Sequence, residues 1–193
     1  KALVIVSPAV EGHTPSGVAF GAASGYIYQN ASRALRYRYA VPYEVFTIKD
    51  FDTKYYAIMR FAISQCISLL VTPNPSTILR LVNTADTPRD QLGRDVWDGT
   101  LAVDAEIPLE TRLALRPHLK PNPRRARELE RLASSSNTFT PQHYWPQLAL
   151  VGCWKGGSVG TGTALDRLRP WFREDMPFRD IGYLSSEAQA SLP

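Results

Sequence analysis

The chain is poor in the residues that build covalent or metal-held scaffolds. Among 193 residues it has two cysteines, Cys66 and Cys153, and three histidines, His13, His118 and His143. Two distant cysteines make no disulfide framework, and with three scattered imidazoles they fall short of a structural zinc site. Both cysteines sit among apolar neighbours, which predicts buried, reduced thiols. The histidines fall in separate stretches read as loops and pair with no serine or cysteine, so no nucleophile with an adjacent base is legible. Long hydrophobic runs are absent too: the stretch 63–71 is broken by Ser64, Gln65 and Ser68, and a membrane helix needs about 20 apolar residues. The opening Lys1-Ala2-Leu3-Val4-Ile5-Val6 is too short for the core of a secretory signal and reads as a strand. These absences predict a cytoplasmic protein with no membrane partner. The formal net charge of +4 is carried mostly by arginine. Its densest cluster, Arg124-Arg125-Ala126-Arg127, is followed at once by Glu128 and Glu130. That mixture reads as the solvated face of a helix and predicts no nucleic-acid partner.

What is present is an ordinary globular composition, 44% hydrophobic and 21% charged, long enough for one sizeable domain. Apolar runs at 1–6, 67–71 and 147–154 read as buried strands. Between them lie helical patterns. The stretch 50–68 carries Tyr55, Ile58, Met59 and Ala62 at helical spacing, with Asp52 or Thr53 as its cap. Asn74-Pro75 and Asn122-Pro123 each read as an N-cap with proline in the first turn, and Thr87-Pro88 repeats that start signal. The stretch 26–39 fits either a strand or a helix, 8–25 reads as loop, and 104–120 is helical in part. Strands alternating with helices predict an α/β fold, a largely parallel β-sheet with flanking helices.

Two segments carry candidate chemistry. The first, 154–163, is a strand, a glycine-rich loop and a helix start, where free backbone N–H groups can meet an anion. It matches neither a Walker A loop nor G-x-G-x-x-G, and its glycines can equally serve only the turn. The second, Ile181-Gly182-Tyr183-Leu184-Ser185-Ser186-Glu187, reads as a strand ending in two hydroxyls and a carboxylate, or as a serine-capped turn. On spacing alone Tyr55, Tyr56 and Met59 form a core face. Asp86, Asp90, Asp95 and Asp98 read as caps or exposed positions, with no carboxylate pair among them.

An ordered series of motifs resembles the GH3 family of acyl-acid amido synthetases, within the adenylate-forming superfamily. It comprises Thr14-Pro15-Ser16-Gly17 after the opening strand, Ala23-Ser24-Gly25, Pro42-Tyr43-Glu44, and Lys54-Tyr55-Tyr56 opening a long helix. Arg94-Asp95-Val96-Trp97-Asp98-Gly99-Thr100-Leu101 is similar to the family's D-I-x-x-G-x-L. Tyr144-Trp145-Pro146 precedes a core strand, and Gly182-Tyr183-Leu184-Ser185-Ser186-Glu187 is similar to the family's nucleotide motif.

The resemblance implies a ligase that joins a carboxylic acid to ATP and then passes the acyl group to an amino acid. In plants the acids include auxin, jasmonate and benzoates. It implies ATP and Mg²⁺ as cofactors, with Tyr183, Leu184, Ser185 and Ser186 against the nucleotide and Glu187 on the metal, where a hard carboxylate oxygen suits Mg²⁺. Tyr56, Met59, Gly156 and Gly157 would border the acyl pocket; the individual catalytic residues are not implied. Where plant members have a cysteine-glycine-leucine turn this chain has Phe61-Ala62-Ile63, so their acids do not carry over. The family's phosphate loop would lie before Lys1 and its lid domain after Pro193. The expectation is therefore that residues 1–193 are the central part of a large N-terminal domain, inactive alone. The competing expectation is a GH3-like scaffold that binds without catalysis.

Overall fold

The computed structural model describes residues 1–103, 107–155 and 161–182, the last stretch with backbone only at 161–163. In chain order the elements are β1 (Ala2–Val4), a hairpin of β2 (Gly12–His13) and β3 (Ala19–Phe20), α1 (Ala23–Gln29), α2 (Arg33–Arg38), α3 (Phe51–Ala62) and β4 (Leu69–Val71). There follow α4 (Pro75–Asp86), α5 (Arg89–Asp98), α6 (Leu109–Leu115), α7 (Pro123–Ser134), α8 (Pro141–Tyr144), β5 (Leu150–Gly152), α9 (Thr161–Leu168) and β6 (Phe178–Arg179). The main sheet is parallel, in the order β1-β4-β5-β6. Its central row is Leu3, Leu70, Val151 and Phe178, paired in register and all buried. Apolar side chains at both faces of parallel strands require helices as cover, and the helices pack on one another as α3 on α4, α4 on α9 and α5 on α7. Among the described residues no helix is long and apolar enough to cross a membrane.

Local chemistry explains most helix ends. Asn74 and Asn122 cap α4 and α7, each accepting a backbone N–H from the first turn, with proline following the cap. The cap of α3 is Asp50, which accepts the Thr53 N–H at 2.8 Å. Asp52 or Thr53 was the expected cap; the helix instead starts at Phe51, because only Asp50 lies outside it with an extended backbone. Pro88 precedes α5 without a side-chain cap. Helix α5 ends at Gly99, with φ of 73°. A Cβ there would also lie 2.5 Å from the Pro121 nitrogen, so both conformation and space demand glycine.

Several sequence expectations are corrected. The 26–39 stretch, open between strand and helix, is mostly helical, contributing to α1 and forming α2, which Ser32 caps, while Tyr39 is extended and bridges Ala2. The 8–25 loop contains the β2–β3 hairpin, whose two-residue strands are too short to show a period. Cys66 is exposed, because it follows α3 in the turn before β4, while Cys153 is buried. Arg125 is not part of a solvated face: its guanidinium donates to the Ile63 and Tyr144 carbonyls and ties α7 to the end of α3. The strand expected at Ile181 is β6, ending at Arg179. Asp180 accepts the Gly182 N–H at 3.0 Å and Gly182 has φ of 75°, a turn that breaks the ladder.

Candidate functional site at the carboxyl edge of the sheet

Parallel strands all end on one edge, where the chain leaves each of them for a loop, and ligands of open α/β sheets bind at that edge. Here the edge carries a crevice of about 660 Å³. Its floor and walls are chain leaving β1 (Ile5 to Pro8), chain leaving β4 (Thr72 to Asn74) and Trp154 after β5. The first turns of α3 and α4 close it with Lys54, Tyr55 and Thr77. The wall beyond β1 is held by close packing. A Cβ on Gly25 would lie 2.2 Å from the Ser7 carbonyl oxygen, so α1 meets this segment backbone to backbone. The Tyr43 hydroxyl accepts the Ala9 N–H at 2.7 Å and fixes the same segment from the other side.

The crevice is lined by apolar side chains interspersed with neutral polar ones such as Ser7, Thr72 and Asn74, and by three charged groups, Glu11, Lys49 and Lys54. Lys49 and Glu11 are exposed and Lys54 is half-buried. Burial holds the Lys54 ammonium below the ordinary lysine range, and the nearby Glu11 carboxylate offsets this only in part. Lys54 Nζ lies 5.2 Å from the centre of the Phe51 ring. The indole Nε1 of Trp154 is buried without a hydrogen-bond partner among the described residues.

A second groove, about 950 Å³, runs between α3 and α4 and shares Phe51, Tyr55, Asn74 and Thr77 with the first. It is crossed by the Arg80–Asp52 ion pair, and the Arg80 guanidinium lies 5.1 Å from the Tyr55 ring centre. Among its lining residues is Tyr56, whose hydroxyl donates to Asp95 Oδ2 at 2.7 Å. Asp95 is the hub of a buried network. Its carboxylate also accepts from Thr100 Oγ1 at 2.8 Å and the Ala102 N–H at 2.7 Å, while its carbonyl accepts from Arg60 Nη2 at 2.7 Å. This corrects the reading of Asp95 as a cap or exposed residue: it is 2% exposed. Burial and the Asp95 carboxylate push the Tyr56 phenol well above its ordinary range, so it stays a neutral donor.

Of the sequence-predicted site residues, Tyr183, Leu184, Ser185, Ser186, Glu187, Gly156 and Gly157 lie outside the described residues. Tyr56 is buried in the Asp95 network and Met59 is fully buried in the core one turn further along α3. Neighbouring Tyr55, with Phe51, is an α3 aromatic that lines both grooves. Sequence reasoning missed Lys54 and Glu11 as crevice residues, whereas Trp154 opens the 154–163 segment it had singled out. The available signal was a lysine in the first turn of a helix, directly before its aromatic pair Tyr55-Tyr56. It also missed a serine–histidine contact: Ser136 Oγ lies 3.1 Å from His143 Nε2. That contact is structural. His143 Nδ1 accepts the Thr140 N–H at 3.1 Å, so in the neutral ring Nε2 carries the proton and cannot take one from Ser136. Among the described residues no group of three or more His, Cys, Asp or Glu could hold a metal.

Comparison with known proteins adds the lineage. The model of the GH3 family N-terminal domain matches residues 1–169. No curated protein sequence matches. Among solved structures, a "GH3.15 acyl acid amido synthetase" superposes with a TM-score of 0.74 at 17% identity, covering 96% of this chain and 33% of that one. An "AtGH3.15 acyl acid amido synthetase in complex with 2,4-DB" superposes equally, at 0.74 and 16% identity, covering 96% and 32%. The chain thus spans about a third of the length of these solved relatives.

Proposed function

Because the chain belongs to the GH3 family, through its N-terminal domain, we propose that the protein carrying it is an ATP-dependent acyl-acid amido synthetase. The observation that carries this reading is the crevice at the carboxyl edge, apolar over the larger part of its lining and with two lysines against one glutamate. Such a space suits the hydrocarbon body of an anionic acid. The chain leaves β6 on this same edge. A Cβ on Gly152 would lie 3.2 Å from Ile181 Cγ2, so the residues just before Tyr183 run close past the end of β5.

In the proposed reaction one carboxylate oxygen of the acid attacks the α-phosphorus of ATP, the bond to the β-phosphate oxygen breaks, and pyrophosphate leaves. An amino acid then attacks the acyl carbon; its nitrogen loses a proton, the amide forms and AMP leaves. Tyr183 to Ser186 would hold the nucleotide. Glu187 would hold Mg²⁺, which when bound supplies charge neutralisation on the phosphates. The crevice walls hold the acid and keep water away from its reacting end. Tyr55 borders the acid directly, with Tyr56 and Met59 fixing α3 behind it, and Gly156 and Gly157 would complete the border of the acid site.

Acid-dependent exchange of pyrophosphate into ATP tests the reading on the whole protein. Exchange is expected with wild type. Glu187→Ala should cut it by about 10²-fold or more, as removal of a charge-stabilising group does, while the fold is retained. Thr77→Trp, which fills the crevice, should raise the KM for the acid and leave that for ATP. A wild type with no exchange for any aromatic or aliphatic acid would instead support a scaffold without chemistry. Full exchange by Glu187→Ala would remove the metal role.

A further inference from the structure

The outer side of the β2–β3 hairpin and of α1 is uncharged and apolar. From Thr14 to Ser32 there is no Asp, Glu, Lys or Arg, in a chain of which such residues make up 21%. Five of the eleven large apolar side chains that stand exposed among the described residues come from this short region. They are Val10, Val18, Phe20, Tyr26 and Ile27, each more than half exposed. They cannot turn inward, because the inner side is already occupied. A Cβ on Gly21 would lie 2.3 Å from the Ala9 carbonyl oxygen, and one on Gly25 2.2 Å from that of Ser7. Hairpin and helix thus both meet the chain leaving β1 backbone to backbone. The buried aromatic of α1, Tyr28, donates to the Val41 carbonyl at 2.6 Å and stacks on Tyr39 with ring centres 4.0 Å apart. The hairpin strands pair only with each other among the described residues, leaving open edges of the kind that natural proteins cover.

Contiguous apolar patches mark contact surfaces, and depletion of charge marks the centre of an interface rather than its rim. Two observations choose the occupant. The stretch from Thr14 to Ser32 has no basic residue, whereas a face that lies on a membrane surface carries Lys or Arg around its apolar side chains. In addition, 96% of this chain superposes on about a third of each solved relative. In a protein of that length the other two thirds are tethered beside this face, at an effective concentration that a second copy does not match. Resting on the reading that residues 1–193 belong to such a longer amido synthetase, we propose that the β2–β3 hairpin and the outer face of α1 are an internal docking surface. Its occupant is an uncharged, apolar part of the same polypeptide that lies outside residues 1–193. Val10 and Ser24 also line the crevice, so the docked part reaches the crevice margin and closes the acid site from that side.

The test uses the whole protein with the photoreactive residue p-benzoylphenylalanine in place of Ile27 or of Val10, illuminated in buffer and in urea. In buffer each is expected to give a product of monomer mass whose attached peptide comes from outside residues 1–193. The region captured should be the same for both positions, and urea should abolish the capture. A product of dimer mass puts a second copy on the face and overturns the choice of occupant. Attachment only within residues 1–193, or none at all, overturns the interface. Different regions for the two positions overturn the closure of the crevice. A milder variant covers the case in which the bulky residue disturbs folding. Val18→Cys, followed through the mass of its own peptide, should react with a maleimide roughly a hundredfold more slowly in buffer than in urea; equal rates also overturn the interface. Acid-dependent pyrophosphate exchange by wild type reads the acid site separately, so either proposal can fail while the other stands.

Discussion

Replacing Asp95 with alanine should be among the most damaging single changes in this domain. Asp95 is 2% exposed, and so is Arg60, whose guanidinium holds its carbonyl. The carboxylate accepts three short bonds, from Tyr56 Oη at 2.7 Å, the Ala102 N–H at 2.7 Å and Thr100 Oγ1 at 2.8 Å, and a longer one from Gln91 Nε2 at 3.4 Å. Alanine removes all of them. It strands the Ala102 N–H and the Tyr56 hydroxyl and leaves the Arg60 charge without its nearest negative partner. Each charge-assisted bond is worth about 1.5–3 kcal/mol, but the sum overshoots because water and rotamer changes recover part of it. The loss from breaking a buried charged cluster, about 3–5 kcal/mol, is the better figure. For a domain of this size that is a fall of roughly 6–20 °C in Tm.

Two milder variants separate hydrogen bonding from simple loss of volume. Tyr56→Phe removes one donor and leaves Oδ2 its bond from Ala102, so about 1–2 kcal/mol is expected. Asp95→Asn keeps the shape but must point an amide donor at one pair of existing donors, for about 1.5–3 kcal/mol. In the Asp95→Ala background, Tyr56→Phe should cost much less than it does alone, a coupling of at least about 1 kcal/mol. Urea unfolding followed by circular dichroism measures all four proteins. A cost below about 1 kcal/mol for Asp95→Ala, or strict additivity with Tyr56→Phe, would refute the network as a unit.

Two further outcomes are expected. Asp50 caps α3, and the Thr53 N–H holds its carboxyl below the ordinary range. A lowered folded pKa means its stabilising contribution is complete above the unfolded value and is lost as pH falls through the folded one. Acid unfolding near and below pH 4 should therefore flatten in Asp50→Asn, which caps at every pH, and an unchanged acid limb would refute the assignment. Cys66 is exposed and Cys153 buried, its thiol pushed up to about 11 by burial and by the Asp180 carboxylate. One thiol should thus react rapidly with a disulfide reagent at pH 8 in the native protein, and the second only in denaturant; rapid labelling of both would contradict the packing at the end of β5.

What could be read from the sequence was what neighbouring residues decide among themselves. The caps at Asn74 and Asn122 were legible because an Asx side chain and a following proline act over three residues. The parallel α/β fold was legible because apolar runs alternate with helical periods. The D-V-W-D-G-T-L segment was recognisable as a pattern, yet its reason is tertiary. Its aspartate answers Tyr56, 39 positions upstream, and its glycine makes room for Pro121. No window of sequence contains those partners, so Asp95 looked like any surface acid.

The crevice shows the same limit more strongly. Its walls come from chain around positions 5–11, 46–58, 72–77 and 154, and only the sheet order brings these to one edge. Lys54 by itself is a lysine in the first turn of a helix, where solvent is the default surrounding. Its meaning changes because the segment beyond β1, packed on Gly25, lines the same crevice and brings Glu11 near it. The lysine is then half-buried beside a single carboxylate, and its chemistry follows from that enclosure. The motif Lys54-Tyr55-Tyr56 thus divides its work by direction: the lysine and Tyr55 face the crevice, while Tyr56 turns to Asp95 and fixes the helix that presents them.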